Sequence, residues 1–218
     1  MQIRLKAKKK KFFIFKRKKT ALVIVDMQNE FVRKGGLLFV NDAIKTVTKI
    51  KELIRFFRQK KMPIIYTKSI NLDIPSLQNK YYEILYPTQV KKKPLVKEYK
   101  RYYPDLGKKL DCSDIIEEIY PEPDDIVIEK IFSSAFEDTI LEYVLKVLKI
   151  ECLVIAGTVT HICVDSTAKA AFNRQFMVAI VSDGVSSFSP DLHVAALKGF
   201  KMRCGRVIKT HEVINELK

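Results

Sequence analysis

The chain has no tryptophan, only seven glycines and three histidines in 218 residues, and no histidine before His161. An imidazole-based metal centre within the first 160 residues is therefore excluded, because the donors are not there. The four cysteines, at 112, 152, 163 and 204, form no Cys-x-x-Cys pair. Their spacing argues against a zinc ribbon or a disulfide framework and suits free thiols in a reducing compartment. No apolar run approaches the ~20 residues that a membrane-spanning helix needs. Phe12-Phe13-Ile14-Phe15 is too short for the core of a signal peptide, and no small-residue cleavage site follows it. A cytoplasmic location with no membrane partner is expected.

Acidic residues are missing from positions 1–19, which hold ten Lys or Arg. The rest of the chain carries 30 basic against 25 acidic residues, a net of +5 out of the total +15. The excess is therefore an N-terminal feature. It is read as a solvated basic arm or strand, with nucleic-acid binding as the competing reading. No zinc finger, helix-turn-helix or RNP-like pattern accompanies it.

What is present beyond residue 19 alternates. Thr20 to Asp26 is a continuous apolar run ending in an acid, the pattern of a strand buried on both faces. Asn41 or Asp42 then caps a helix whose Ile44, Val47, Ile50, Ile54 and Phe57 share one face. Further strands are expected at Met62–Thr67, Asp125–Lys130, Cys152–Ala156, Met177–Ser182 and Arg206–Lys209. Helices are expected at Phe136–Leu148, Cys163–Gln175, Asp191–Gly199 after Ser189-Pro190, and Glu212–Leu217, with a short one at Ser113–Ile119. Residues 71–112 hold six of the nine tyrosines and four prolines without a sustained period. They read as an irregular excursion with one short helix, a lid or an oligomer contact. The organisation expected is a basic segment at 1–19, then one domain at 20–218. Its fold class is a three-layer α/β/α arrangement around a mainly parallel six-stranded sheet.

Ligands of such sheets bind beyond the carboxyl ends of the strands. Asp26 follows the first strand, Lys130 ends the third, and Cys163 lies just past the fourth, after a Gly157-Thr158 turn. A thiol at a helix start meets free N–H groups and the positive dipole end, which favour its thiolate and hence nucleophilic chemistry. Each residue has an ordinary reading as well: Cys163 as small core, Asp26 as a turn residue, Lys130 as a solvated strand end. All three together, at equivalent places in the fold, point to a catalytic set.

Ala21–Phe31, Val127–Lys130 with Ser134-Ala135-Phe136, Gly157–Val164 with Thr167 and Ala171, Asp183 and His193–Leu197 resemble the isochorismatase-like cysteine hydrolases, which include nicotinamidases and carbamoyl or ureido amidohydrolases. The likeness covers most of residues 20–215 and leaves 71–112 poorly matched. It implies a triad of Asp26 as base, Lys130 as its partner and Cys163 as nucleophile. It also implies a cis peptide at Thr158–Val159 and an oxyanion hole from the Val159 and Cys163 N–H groups. Gln28, Phe31, Phe136 and Thr160 are the corresponding substrate-binding candidates, although Gln28 also reads as a turn residue and the phenylalanines as core. The expected substrate is a small amide, and the expected assembly a homodimer or homotetramer.

Nicotinamidases of that family bind a zinc-type metal through an Asp and two His after the second strand. The stretch here, Tyr66 to Asp73, has no histidine, so no metal and no cofactor are expected. Asn71 and Asp73 are left as substrate contacts or plain loop residues. His161 reads as structural, and His193 as a packing or helix-start residue. Retention of Cys163 favours C–N cleavage over the vinyl-ether cleavage of the isochorismatase branch.

Overall fold

Six short apolar runs become six parallel strands: β1 (Thr20–Val25), β2 (Ile64–Ser69), β5 (Ile126–Lys130), β6 (Cys152–Thr158), β7 (Met177–Ser186) and β8 (Arg206–Ile208). They lie in the order β5-β2-β1-β6-β7-β8. The computed structural model describes residues 13–72 and 91–218. β1 is buried at every position, and its side chains alternate between two cores. Leu22 and Ile24 face one core, Ala21, Val23 and Val25 the other. That alternation is the period-two geometry of a strand covered on both faces.

Helix α2 (Ala43–Gln59) covers the first face through Val47, Ile50, Leu53 and Phe57, together with α6 (Thr210–Leu217) through Val213 and Leu217. The other face is covered by α3 (Leu141–Val147), α4 (Asp165–Asn173) and α5 (Pro190–Arg203) through Leu141, Leu145, Ala168, Ala171 and Phe200. A four-residue helix, α1 (Asn29–Val32), follows β1 directly. The expected three-layer architecture is therefore present, with every neighbouring pair in the main sheet parallel. Among the described residues no helix is long and apolar enough to cross a membrane.

Several boundaries differ from the sequence expectation. Ile44 is exposed, and Ala43 and Thr46 take the first buried places of α2. The helix expected at 136–148 begins only at Leu141, because Asp138 adopts φ 53, a left-handed conformation that no α-helix continues through. The Thr139 hydroxyl accepts from Leu141 N at 3.1 Å and serves as the local start. The helix expected at 113–119 is a single 3-10 turn, Glu117–Ile119. Ser189 accepts from Leu192 N and opens α5 as Ser-Pro predicts.

The described part of the excursion also differs from the sequence expectation. Residues 73–90, Asp73 included, lie outside the described residues. The later part holds an antiparallel hairpin, β3 (Lys100–Tyr103) and β4 (Lys108–Asp111), where the sequence suggested no regular strand. Pro104-Asp105-Leu106-Gly107 makes the turn, with Gly107 at φ 64. Tyr103 points inward and is fully buried, whereas Tyr102 is exposed.

Candidate active site

The residue after β1, Asp26, takes φ 49, a region that Asp tolerates better than most side chains. The chain turns out of the sheet there and leaves the carboxylate buried at the carboxyl edge. Lys130 ends β5, two strands from β1 across β2, a gap of roughly 10 Å at ordinary strand spacing. The long lysine side chain closes that gap. Lys130 Nζ lies 2.7 Å from Asp26 Oδ2, with both side chains fully buried, and donates to Phe132 O at 3.1 Å. Ala135 N donates to Thr167 Oγ1 of α4 at 3.0 Å, pinning the loop that follows Lys130 to the helix that follows Cys163. The Cys163 thiol is close enough to Asp26 and Lys130 for the charge of each to act on it. The three strand-end residues thus form one cluster.

Cys163 sits in a π-helical turn, Thr160–Val164, rather than at the first turn of an α-helix; α4 begins only at Asp165. The wide turn is marked by Val164 N donating to Val159 O at 3.2 Å. Such turns recur at functional sites. Burial, and then the Asp26 carboxylate, push the Cys163 thiol up to about 12 against the opposing pull of Lys130. Burial pulls the Lys130 ammonium down, but the charges of Asp26 and Cys163 outweigh it and leave Lys130 above its ordinary value. Burial and the carboxylate beside the sulfur thus oppose the thiolate that a helix start would favour.

The turn before Cys163 is anchored to β7. The Thr158–Val159 peptide is cis. Thr158 Oγ1 and Thr160 Oγ1 both donate to Ser186 O, at 3.2 and 2.9 Å. His193 Nδ1 lies 2.9 Å from Thr160 Oγ1. A hydroxyl has one proton. With that proton on Ser186 O, His193 Nδ1–H donates to Thr160, so the first turn of α5 braces the same loop. His161 Nδ1 pairs with Ser187 Oγ at 2.7 Å, and its ring meets Phe188 edge-on, which suits a structural histidine. Burial lowers both histidines. At Gly157, φ 117, an added Cβ would fall 2.1 Å from Val25 O, so only glycine lets β6 approach β1 this closely.

The four substrate-binding candidates have other duties. The Gln28 amide donates to Ser69 O at 2.8 Å and Ser113 O at 2.6 Å and accepts from Ser69 N at 2.8 Å, so it clamps three segments together. The Thr160 hydroxyl is engaged as described. Phe31 packs in the core on the α2 face, and Phe136 in the core on the opposite face. Phe136 lies 5.9 Å from the Phe176 ring and under the Arg174 guanidinium at 5.0 Å. Asn71 Nδ2 donates to Pro94 O at 2.9 Å. In the stretch where nicotinamidases hold a metal, Lys68 pairs with Asp114 at 2.9 Å and Ser69 is tied to Gln28. Among the described residues of that stretch, amide, hydroxyl and ammonium groups without imidazole do not fit a zinc-type ion.

Other site features escaped the sequence reading. Thr67 of β2, fully buried, donates its hydroxyl proton to Asp26 Oδ1 at 2.5 Å and accepts from Asp26 N at 3.2 Å. Glu30, also fully buried, accepts from Arg101 Nε at 2.9 Å and from the Tyr103 hydroxyl at 3.2 Å. Asn29 N and Glu30 N, free donors of the α1 start, donate to Asp114 O and Cys112 O. The hairpin is thereby docked on the loop that carries Asp26. Burial raises Glu30, although Arg101 and Tyr103 oppose the rise. Glu30 sits four residues past Asp26 in a motif that otherwise looks like a plain helix start, and Arg101 is distant in sequence.

Comparison with known proteins gives one consistent picture. The model of the isochorismatase domain matches residues 20–212. The ureidoacrylate amidohydrolase RutB of Acinetobacter baylyi is 30% identical over 210 residues, covering 90% of this chain and 82% of that protein. A cysteine hydrolase from Pseudomonas syringae pv. phaseolicola superposes with a TM-score of 0.83 at 25% identity, covering 94% of each chain. An N-carbamoylsarcosine amidase from Thermoplasma acidophilum superposes with a TM-score of 0.68 at 30% identity, covering 88% of this chain and 96% of its own.

Proposed function

The chain belongs to the isochorismatase family, and from that premise we propose that it is a cysteine-dependent, metal-independent hydrolase cleaving a C–N bond of a small amide, with carbamoyl or ureido compounds as the preferred class. The observation that carries this reading is the buried Asp26–Lys130 ion pair at 2.7 Å with the Cys163 thiol in reach of both. Burying two ions costs several kcal/mol each, and packing alone gives no reason to place such a pair beside a thiol. Two relatives named for acting on ureido or carbamoyl compounds support the substrate class.

In this mechanism Cys163 begins as a thiol. Asp26 takes its proton as sulfur attacks the carbonyl carbon, because a free thiolate beside the carboxylate is disfavoured. Lys130 offsets the negative charge shared by Asp26 and the sulfur. The carbonyl oxygen becomes an oxyanion, for which the Val159 and Cys163 N–H groups are the donors, each worth about 3 kcal/mol in sites of this kind. The C–N bond breaks, Asp26 returns the proton to the departing nitrogen, and a thioester is left on Cys163. Asp26 then takes a proton from water, which hydrolyses the thioester and restores the thiol.

Ammonia release across a panel of small amides and ureido compounds tests this reading. Cys163→Ala is expected to lower the rate about a thousandfold or more, a loss in line with removal of a nucleophile, and mass spectrometry is expected to trap an acyl group on Cys163 of the wild type. Hydrolysis retained in Cys163→Ala would sink the assignment. Activity is also expected to survive chelation; loss restored by zinc contradicts the metal-free mechanism. Product analysis with isochorismate separates this chemistry from vinyl-ether cleavage.

A further inference from the structure

β2 runs between the strands that carry Asp26 and Lys130. Its residues 64 to 67 are all buried, and three of them are Ile64, Ile65 and Tyr66. Valine has nearly the shape of threonine and equal liking for a strand, so packing gives no reason for a hydroxyl at position 67. A buried hydroxyl costs free energy unless it is bonded. The Thr67 hydroxyl is bonded twice, both times to Asp26. It donates to Oδ1 at 2.5 Å and accepts from the main-chain N at 3.2 Å. A second main-chain bond, Asp26 N to Thr67 O, is also 3.2 Å. The hydroxyl therefore joins the backbone and the carboxylate of one residue in a small ring, at the point where that residue holds φ 49.

We propose that Thr67 is the positioning residue of the base: by occupying Oδ1 it fixes the carboxylate plane and leaves Oδ2 to serve Lys130 and the Cys163 proton. This rests on Asp26 acting as the base, as set out above. The groups that face the carboxylate are Thr67 from β2, Lys130 from β5 and Cys163 from the π turn. A short bond from a hydroxyl to an ionised oxygen is charge-assisted and favours the anion. A carboxylate deprived of that donor holds a proton more readily. It then draws the proton from Cys163 more often at rest, while losing the fixed orientation that makes the transfer productive.

The test uses the full-length protein with Thr67→Val, Thr67→Ser and, should the valine variant not fold, Thr67→Ala. Iodoacetamide labelling at neutral pH is followed by mass spectrometry of the peptides holding Cys163 and Cys152. Cys152, in β6 and fully buried, reports any general loosening. Cys163 is expected to alkylate about tenfold faster in Thr67→Val, the change that one unit of proton affinity gives. Cys152 is expected to stay unchanged and Thr67→Ser to match the wild type. On a substrate from the amide panel, the acid limb of kcat/KM is expected to move up by about one pH unit in Thr67→Val and kcat to fall, with both restored in Thr67→Ser. Wild-type labelling and an unmoved acid limb in Thr67→Val overturn the proposal, as does faster labelling of Cys163 and Cys152 together, which makes Thr67 a packing residue. Labelling needs no turnover. A failure of the hydrolase reading, seen as activity in Cys163→Ala, therefore stays separate from a failure here.

Discussion

Cys163 and Asp26 each set the state of the other. Burial and the carboxylate push the thiol up to about 12, so in the proposed mechanism a proton is shared between Asp26 and Cys163. Asp26→Asn removes the negative neighbour. The midpoint of Cys163 alkylation against pH is then expected to fall below that of the wild type, while hydrolysis drops about a thousandfold for want of a base. A midpoint left in place would mean that the carboxylate does not face the sulfur. The same three residues are the part of the site most legible in the sequence. Thr20–Val25 and Cys152–Ala156 are apolar without interruption, so the acid after the first and the cysteine beyond the second stand out against their strands. Lys130 is legible by its place at the end of Ile126–Glu129. Thr67 is not, because threonine passes for valine in a strand pattern and its purpose lies on another strand. Gln28 misleads for the opposite reason: a polar residue in a catalytic motif suggests a ligand for substrate, yet its amide is used up by three main-chain partners.

At the scale of elements, the parallel strands followed from continuous apolar runs, whereas the hairpin β3–β4 did not, because it is short, tyrosine-rich and half exposed. Its attachment is electrostatic. Arg101 reaches from β3 to Glu30 in α1, and the pair is almost wholly buried. Arg101→Ala strands that carboxylate, with an expected loss of about 3 kcal/mol in urea unfolding at neutral pH. The pH dependence has a definite sign. Glu30 is already raised above the ordinary carboxyl value, and losing Arg101 raises it further. A carboxyl raised on folding contributes stability at low pH that fades as pH climbs through the folded value. The deficit of Arg101→Ala relative to wild type is therefore expected to shrink between pH 8 and pH 5, and a deficit independent of pH would show that Glu30 is not the group left stranded. The Glu30→Gln, Arg101→Ala double variant is expected to recover part of the loss.

Among the described residues, the contacts of the N-terminal segment and the candidate site lie at opposite edges of the sheet. Phe13 and Phe15 meet edge-on at 5.4 Å and lie 5.6 and 5.2 Å from the Arg206 guanidinium, which also donates to Phe13 O at 3.1 Å. Arg206 begins β8, and Lys19 pairs with Glu151 just before β6, so this anchor sits at the amino edge of the sheet. Asp26, Lys130 and Cys163 sit at the carboxyl edge. Deleting residues 1–12, which hold six of the Lys and Arg residues, is expected to leave thermal stability and hydrolysis unchanged, because the contacts of Phe13 and Phe15 with Arg206 are kept. Measured against salt, any RNA or DNA binding by the intact chain is expected to vanish with the deletion, and binding that survives would place the nucleic-acid surface elsewhere. The strand order carries a further consequence, for biosynthesis. β1 finds one neighbour, β2, soon after it leaves the ribosome, but its other neighbour is β6, made more than a hundred residues later. Until then Thr20–Val25 offers an unpaired edge that is apolar from Ala21 onward, the kind that other chains adhere to. Nascent chains that stall before Cys152 are thus the form of this protein most in need of a chaperone, and they are also the forms that lack Cys163.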